Sequence, residues 1–246
     1  MSIPKIIHYC WFGGGAISPE NRKCMGSWKK YCPDYKIMAW NDQNFDISTN
    51  RYAQQAYEAK KYAFVSDYVR LAVLYEYGGI YLDTDVELVR PLDELLELPG
   101  FMGFQTNNEV ATGLGFGARK GNSVVQALLR DYDALDFLKA DGSADLTPCP
   151  ERNTRVLQAL GVRKDGTRQS IAEMEIFPAE YFCPMDFYSR ELRVTPKTYS
   201  IHRYAESWKP KPSAVSRILQ RLLKKHYYTW YCPLRGRIEG RLRKRT

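Results

Sequence analysis

Apolar residues along this chain fall in short runs, separated by glycine and polar clusters, and the runs switch between a two-residue and a helical period. Lys5-Ile6-Ile7-His8-Tyr9-Cys10-Trp11-Phe12, closed by Gly13-Gly14-Gly15, predicts a buried strand that ends in a flexible turn. Residues 19–31 have helical character, residues 35–40 predict a second strand and residues 50–61 another helix. A β-α-β-α opening of this kind predicts an α/β domain with a mainly parallel central sheet and helices on its faces. Ser66 is placed to cap a helix running to Tyr77, with Gly78-Gly79 as the stop and Ile80-Tyr81-Leu82 as a short strand behind it. Further strands are expected at 101–105, 115–118, 175–177 and 199–202, with helices at 123–132 and 153–160.

Composition narrows the class. The chain has 246 residues, enough for one domain with a full core. Apolar residues at 44% and charged residues at 26% are ordinary for a globular protein. The formal net charge of +8 suggests nucleic acid until it is divided along the sequence. Residues 209–246 hold 12 Lys and Arg against one acid, Glu239, which leaves 24 bases and 27 acids in the remainder. The body is therefore net acidic, and an anionic macromolecule would meet only the tail. Six cysteines without a C-x-x-C pair signal neither a zinc ribbon nor a thioredoxin motif and fit reduced thiols. The first fifteen residues lack a persuasive cleavage signal, and no run reaches the roughly 20 apolar residues of a membrane span. A cytoplasmic protein is expected, peripheral on the inner face of the membrane if the tail binds lipid.

The chemistry concentrates around Asp83-Thr84-Asp85. In an extended segment Tyr81, Asp83 and Asp85 share one face, so two carboxylates and a ring point at one place. Such carboxylates repel unless a cation joins them, and hard oxygen ligands select Mg²⁺ or Mn²⁺. A charged surface turn is the plain alternative. Asp67 and Arg70, three apart on the expected helix, can bind sugar hydroxyls and phosphate oxygens or form a surface ion pair. The glycines at 113, 115 and 117 do not fit G-x-G-x-x-G, and no G-K-[ST] is present, so dinucleotide and P-loop fingerprints are absent.

The run from Phe64 to Asp85, with Ser66-Asp67-x-x-Arg70 followed by Gly78-Gly79-Ile80-Tyr81-Leu82-Asp83-Thr84-Asp85, resembles the signature of family 32 of the glycosyltransferases. That family includes yeast-type mannosyltransferases and small bacterial capsular or exopolysaccharide enzymes, and the glucosyltransferase domains of clostridial toxins share the pattern. The resemblance extends to residues 3–13 and to Tyr199-Ser200-Ile201-His202 with Ser207-Trp208. It implies a GT-A fold over residues 1–208, with Trp11 stacked on the nucleotide base and Asp67 and Arg70 on the donor sugar. It further implies that Tyr81 lines the nucleotide pocket, Asp83 contacts the ribose and metal-bound water, and Asp85 ligates the metal. His202 joins as a metal or diphosphate contact, Ser207 and Trp208 as closing-loop contacts to the phosphates, and Asn44 as an additional nucleotide contact. His8 is expected to pack or hydrogen-bond within its strand.

The expected reaction is metal-dependent transfer of a hexose from a nucleoside diphosphate sugar, UDP-linked, to a hydroxyl of a growing surface glycan, with retention of configuration. Asp83, Asp85 and Arg70 are the catalytic candidates. A nucleotidyltransferase and a non-catalytic basic adaptor are the rival readings. In the tail, Val215, Ile218, Leu219, Leu222 and Leu223 form one apolar helical stripe, followed by Tyr227, Tyr228, Trp230 and Tyr231 and then a basic terminus. This composition suits the surface of an anionic membrane carrying a lipid-linked acceptor. The alternative is a stripe packed on the body with a solvated end. No nucleic-acid partner is expected.

Overall fold

The computed structural model describes residues 2–187 and 189–205. Its frame is an eight-stranded sheet in the order β2-β1-β3-β7-β5-β9-β8, with β6 paired to β5. The strands are β1 (Ile6–Cys10), β2 (Lys36–Trp40), β3 (Gly79–Tyr81), β5 (Gly100–Phe104), β6 (Val110–Ala111), β7 (Phe116–Ala118), β8 (Gln169–Ile171) and β9 (Met174–Phe177). β1 runs parallel to β2 and β3, β7 lies antiparallel between β3 and β5, and β9 is parallel to β5. Five strands therefore share one direction, and β6, β7 and β8 oppose them. A second sheet pairs β4 (Val86–Leu88) with β10 (Ser200–His202), antiparallel. This is a mixed α/β sheet with most of its strands running one way, the arrangement that the family resemblance implies.

Alternation along the strands feeds a core on each face of the sheet. Ile80 and Phe101 belong to one hydrophobic cluster, while their neighbours Tyr81 and Met102 belong to the other. Helices α2 (Arg51–Glu58), α3 (Tyr62–Tyr77), α4 (Ser123–Asp133) and α5 (Cys149–Ala159) supply the second cluster. Helix α1 (Pro19–Tyr31) and the short α6 (Ala179–Phe182) cover the first. Ser18 caps α1 by accepting a 3.0 Å bond from the Asn21 amide, with Pro19 at the first helical position. Trp28, fully buried, anchors that helix by donating its indole N–H to Val86 O at 2.8 Å. Replacing it with alanine should cost about 3–5 kcal/mol.

Three expectations need correction. Helix α3 begins at Tyr62 rather than at Ser66, because Phe64 and Val65 are already buried in the core, and the Ser66 hydroxyl donates back to Tyr62 O. Helix α5 begins at Cys149, four residues ahead of its expected start. The extended segment stops at Tyr81, so the acidic triplet lies in a turn closed by Val86 N–H to Asp83 O at 2.9 Å. The Gly78-Gly79 stop is as expected and has a steric basis. Both glycines have positive φ, and a side chain on Gly79 would meet Ile6 O at 2.8 Å and His8 Nε2 at 2.9 Å.

Candidate active site

The carboxyl ends of β1, β2 and β3 lie side by side, which is where open α/β sheets bind ligands. Trp11, residues 41–44 and residues 82–85 all leave the sheet there. Thr84 turns away from the cluster and its hydroxyl accepts from Asn21 Nδ2 at 2.9 Å, so helix α1 holds the turn from behind. Asp83 and Asp85 point the other way. Their carboxylate oxygens and a ring nitrogen of His202 lie within 4.8 Å of one another, the only such cluster of potential metal ligands among the described residues.

Arg70 organises the other half. Its Nη2 lies 3.0 Å from Asp67 Oδ1 and 3.2 Å from Asp83 Oδ1, and its guanidinium sits 4.9 Å over the Tyr81 ring. The Tyr81 hydroxyl donates to Asp83 Oδ1 at 3.1 Å, and Asp83 N–H donates to Gly113 O at 3.0 Å. Asp67 and Arg70 are 8% and 6% exposed, so the surface-pair reading fails and the bridge belongs to the interior. Burial pushes the Asp67 carboxyl up to about 6, against the opposing pull of Arg70. A buried pair of this kind contributes little net stability, and it stands beside the acidic triplet.

Asp85 is fixed from the far side by β10. Its Oδ2 accepts from Ala205 N at 2.8 Å and its Oδ1 lies 3.3 Å from His202 Nε2. Although both groups are buried, which opposes charge, their attraction holds the imidazole above and the carboxyl below its ordinary range. A divalent ion held by the two carboxylates would take the neutral imidazole of His202 as a third ligand. Two carboxylates and one imidazole fit a divalent ion, with Mn²⁺ suited to such a mixed donor set.

The family described as a glycosyltransferase sugar-binding region containing a DXD motif matches residues 18–101. Inositol phosphoceramide mannosyltransferase 3 of Schizosaccharomyces pombe is 32% identical over 148 residues, covering 55% of this chain and 39% of that protein. The human alpha-1,4-N-acetylglucosaminyltransferase is 28% identical over 148 residues, covering 60% of this chain and 38% of that protein. The family match covers about a third of this chain and includes both the Asp67–Arg70 segment and the acidic triplet. The chain spans about two-fifths of the length of these two curated relatives. Among solved structures, a PaToxG glycosyltransferase is 22% identical over 64% of this chain and 70% of its own, with a TM-score of 0.48.

In this chain the expected residues Asp67, Arg70, Tyr81, Asp83, Asp85 and His202 are brought together. Trp11 stands at the neighbouring strand end, half-buried, with its N–H bonded to Trp40 O at 2.8 Å and its indole N–H donating to Gly15 O. The Gly13 amide donates to Asp42 Oδ2 at 3.0 Å and ties the β1 and β2 loops together. Asn44 uses its amide inside the loop: Oδ1 accepts from Asn41 N at 2.9 Å and Nδ2 donates to Ala39 O at 2.7 Å. A cavity of about 650 Å³ opens beside it, bordered by residues 42–48 and by Gln54 and Tyr57 of α2. Ser207, Trp208 and the tail at 209–246 lie outside the described residues. His8 is fully buried, bonded to Gly78 O and to the Trp40 indole, as expected for a structural histidine.

Sequence reasoning missed a second wall. Thr112 lies 3.5 Å from Arg70 Nη1 and accepts from Asn153 Nδ2 at 3.1 Å, while the Cys149 thiol lies 3.3 Å from the Thr112 hydroxyl. Gly113 faces Asp83 so closely that a Cβ there would lie 1.8 Å from Asp83 Oδ2. The only available signal was a small residue following the apolar pair Val110-Ala111, which fits many turns.

Proposed function

We propose that this chain is a DXD glycosyltransferase that moves a hexose from a nucleoside diphosphate sugar, UDP-linked, to a hydroxyl of a glycan. The supporting observation is the bridge Asp67–Arg70–Asp83 standing against the Asp83–Asp85–His202 cluster: a hydroxyl-binding acid and a fixed guanidinium adjoin a set of cation ligands. Asp83, Asp85 and His202 would hold the cation, and a bound divalent ion neutralises charge on the departing diphosphate. Asp67 accepts from sugar hydroxyls, and Arg70, held by two carboxylates and a ring, keeps them oriented. Trp11 offers a stacking face for the base. The cavity beside residues 42–48 has the size of a small-ligand site and can receive the nucleoside.

Retention follows from a same-face substitution. The bond from the anomeric carbon to the phosphate oxygen breaks, the acceptor oxygen bonds that carbon on the same face, and the acceptor proton passes to the departing diphosphate. No protein nucleophile is required. The S. pombe relative is named for transfer to an inositol phosphoceramide, which supports a lipid-linked acceptor here and a tail at 209–246 that rests on an anionic membrane. A role in surface polysaccharide synthesis on the cytoplasmic side accords with that reading.

The test is a panel of nucleotide sugars scored for hydrolysis, with and without Mn²⁺. Release of nucleoside diphosphate from one donor, dependent on the cation, is expected. Release of pyrophosphate from a nucleoside triphosphate and a sugar 1-phosphate would instead establish the nucleotidyltransferase reading, and inactivity on both panels the adaptor reading.

A further inference from the structure

Beyond the donor site, a second cavity of about 380 Å³ lies where β4 and β10 end. Asp85 precedes β4 and His202 closes β10, whereas Arg90 follows β4 and Tyr199 precedes β10. The antiparallel register, Ser200 opposite Leu88 and His202 opposite Val86, makes the two strands a common spacer. At about 3.3 Å per residue, Tyr199 stands about 10 Å along the strand from His202. The cavity therefore sits apart from the acidic triplet.

Its floor is aromatic. Phe177 and Tyr181 pack with ring centroids 4.8 Å apart, and Tyr181 stacks on Tyr199 at 6.3 Å with 23° between planes. Phe177 and Tyr199 are nearly covered, while Tyr181 is half-buried and presents the ring. The rim carries three cations, Arg90, Arg168 and Lys197, each paired to a carboxylate, of which Glu94 alone lines the cavity. The two arginines lie over this floor, Arg90 4.4 Å from the Tyr199 ring centroid and Arg168 4.8 Å from that of Phe177. Arg90 is committed, both terminal nitrogens being bonded to Glu94 and to Pro196 O. Arg168 is not. It uses Nε for Glu175 at 2.6 Å, and neither terminal nitrogen is bonded among the described residues. Lys197 spends one donor on Glu180 at 3.0 Å and keeps the rest.

We infer that this cavity binds an acidic sugar unit of a glycan, separately from the donor site. The Tyr181 ring, the half-buried one of the three, can take the apolar face of a pyranose, since polarised C–H groups favour the negative face of an aromatic ring. The open edge of Arg168 is a planar fork matched to a carboxylate, and Lys197 adds a point charge beside it. A free phosphate would use the cations and leave the aromatic floor idle, and a neutral sugar would leave the open donors idle. The inference does not depend on the transferase reading, because it concerns binding alone.

The experiment is calorimetric titration of the full chain with tetragalacturonate, maltotetraose and inorganic phosphate, repeated on Arg168→Gln/Lys197→Gln, whose side chains are more than half exposed. Tetragalacturonate should bind in preference to the other two, more weakly as salt rises. The double variant should lose about tenfold or more in affinity with its melting temperature and donor hydrolysis retained. No binding of tetragalacturonate, equal binding of maltotetraose or of phosphate, or an unaltered affinity in the variant would each overturn the assignment.

Discussion

Gly113→Ala tests the geometry of the site by adding a single methyl group. Gly113 φ lies outside the left-handed region, so alanine brings no backbone strain and the effect is steric. The new Cβ would fall 1.8 Å from Asp83 Oδ2, 2.7 Å from its Cγ and 3.2 Å from Arg70 Nη1. Since nonbonded heavy atoms settle near ~3.5 Å, the carboxylate must retreat by more than about 1 Å. Its side chain is 28% exposed and has room to rotate, so the fold should survive. Rotation breaks the 3.2 Å contact with Arg70 and the 3.1 Å bond from Tyr81, leaving Arg70 paired to Asp67 alone. A stability loss of about 1–2 kcal/mol is expected from those contacts. Misplacement of about 1 Å at a reacting site should lower kcat/KM about 10²-fold. Donor hydrolysis kinetics and the melting temperature read the two quantities separately. Gly26→Ala, where an added Cβ meets nothing within 4 Å inside helix α1, is the control and should retain activity. If Gly113→Ala is as active as the control, Asp83 does not act from the position described, and the proposed site is wrong.

Asp85→Ala should abolish the enhancement of UDP affinity by Mn²⁺; calorimetry on the unaltered protein showing equal affinity with and without the ion would refute the metal role. Trp11→Ala should weaken nucleotide binding by about 1–3 kcal/mol if the indole carries the base, and unaltered affinity in a folded variant would move the base elsewhere. His8 should make stability depend on pH. Burial, reinforced by the Lys36 charge and only partly offset by the bond to Gly78 O, lowers its pKa from 6.5 to about 4. The unfolded chain then binds the extra proton first, so stability is full above about pH 6.5 and falls towards pH 4, by about 3 kcal/mol for this one group. Urea titrations of the parent and His8→Gln should show a shallower acid loss in the variant, and parallel curves would refute the assignment. A form ending at Pro212 should leave anionic vesicles in co-sedimentation while the full chain binds them and both hydrolyse donor; if neither binds at low salt, the tail is no anchor.

What could be read from the sequence was whatever one contiguous segment encodes. The strand before Gly13, the helix stop at Gly78-Gly79 and the pairing of Asp67 with Arg70 depend on neighbours a few residues away, and the structure has them there. Ser66 misled because a serine before an aspartate and an apolar run has the form of a cap, while the burial of the first helical turn comes in part from a partner distant in sequence, Phe137 packing on Phe64. Strand alternation put Asp83 and Asp85 on one side for an incomplete reason. The strand ends at Tyr81, and the two carboxylates share a face because Gly113 O holds the Asp83 amide while Asn21 holds Thr84. Each of these partners is about 30 or 60 residues away, beyond any local period. Whether Arg70 is a surface charge or the centre of a site was likewise decided elsewhere, by residues 111–113 and 149–153 closing over it. A signature therefore names the groups proposed to meet the donor, and the segments without one fix their distances. Specificity between one sugar and another should accordingly respond to changes at Thr112, Gly113 and Cys149, where local patterns are silent, more than to changes within the acidic triplet, whose proposed role in holding a cation would be common to every donor.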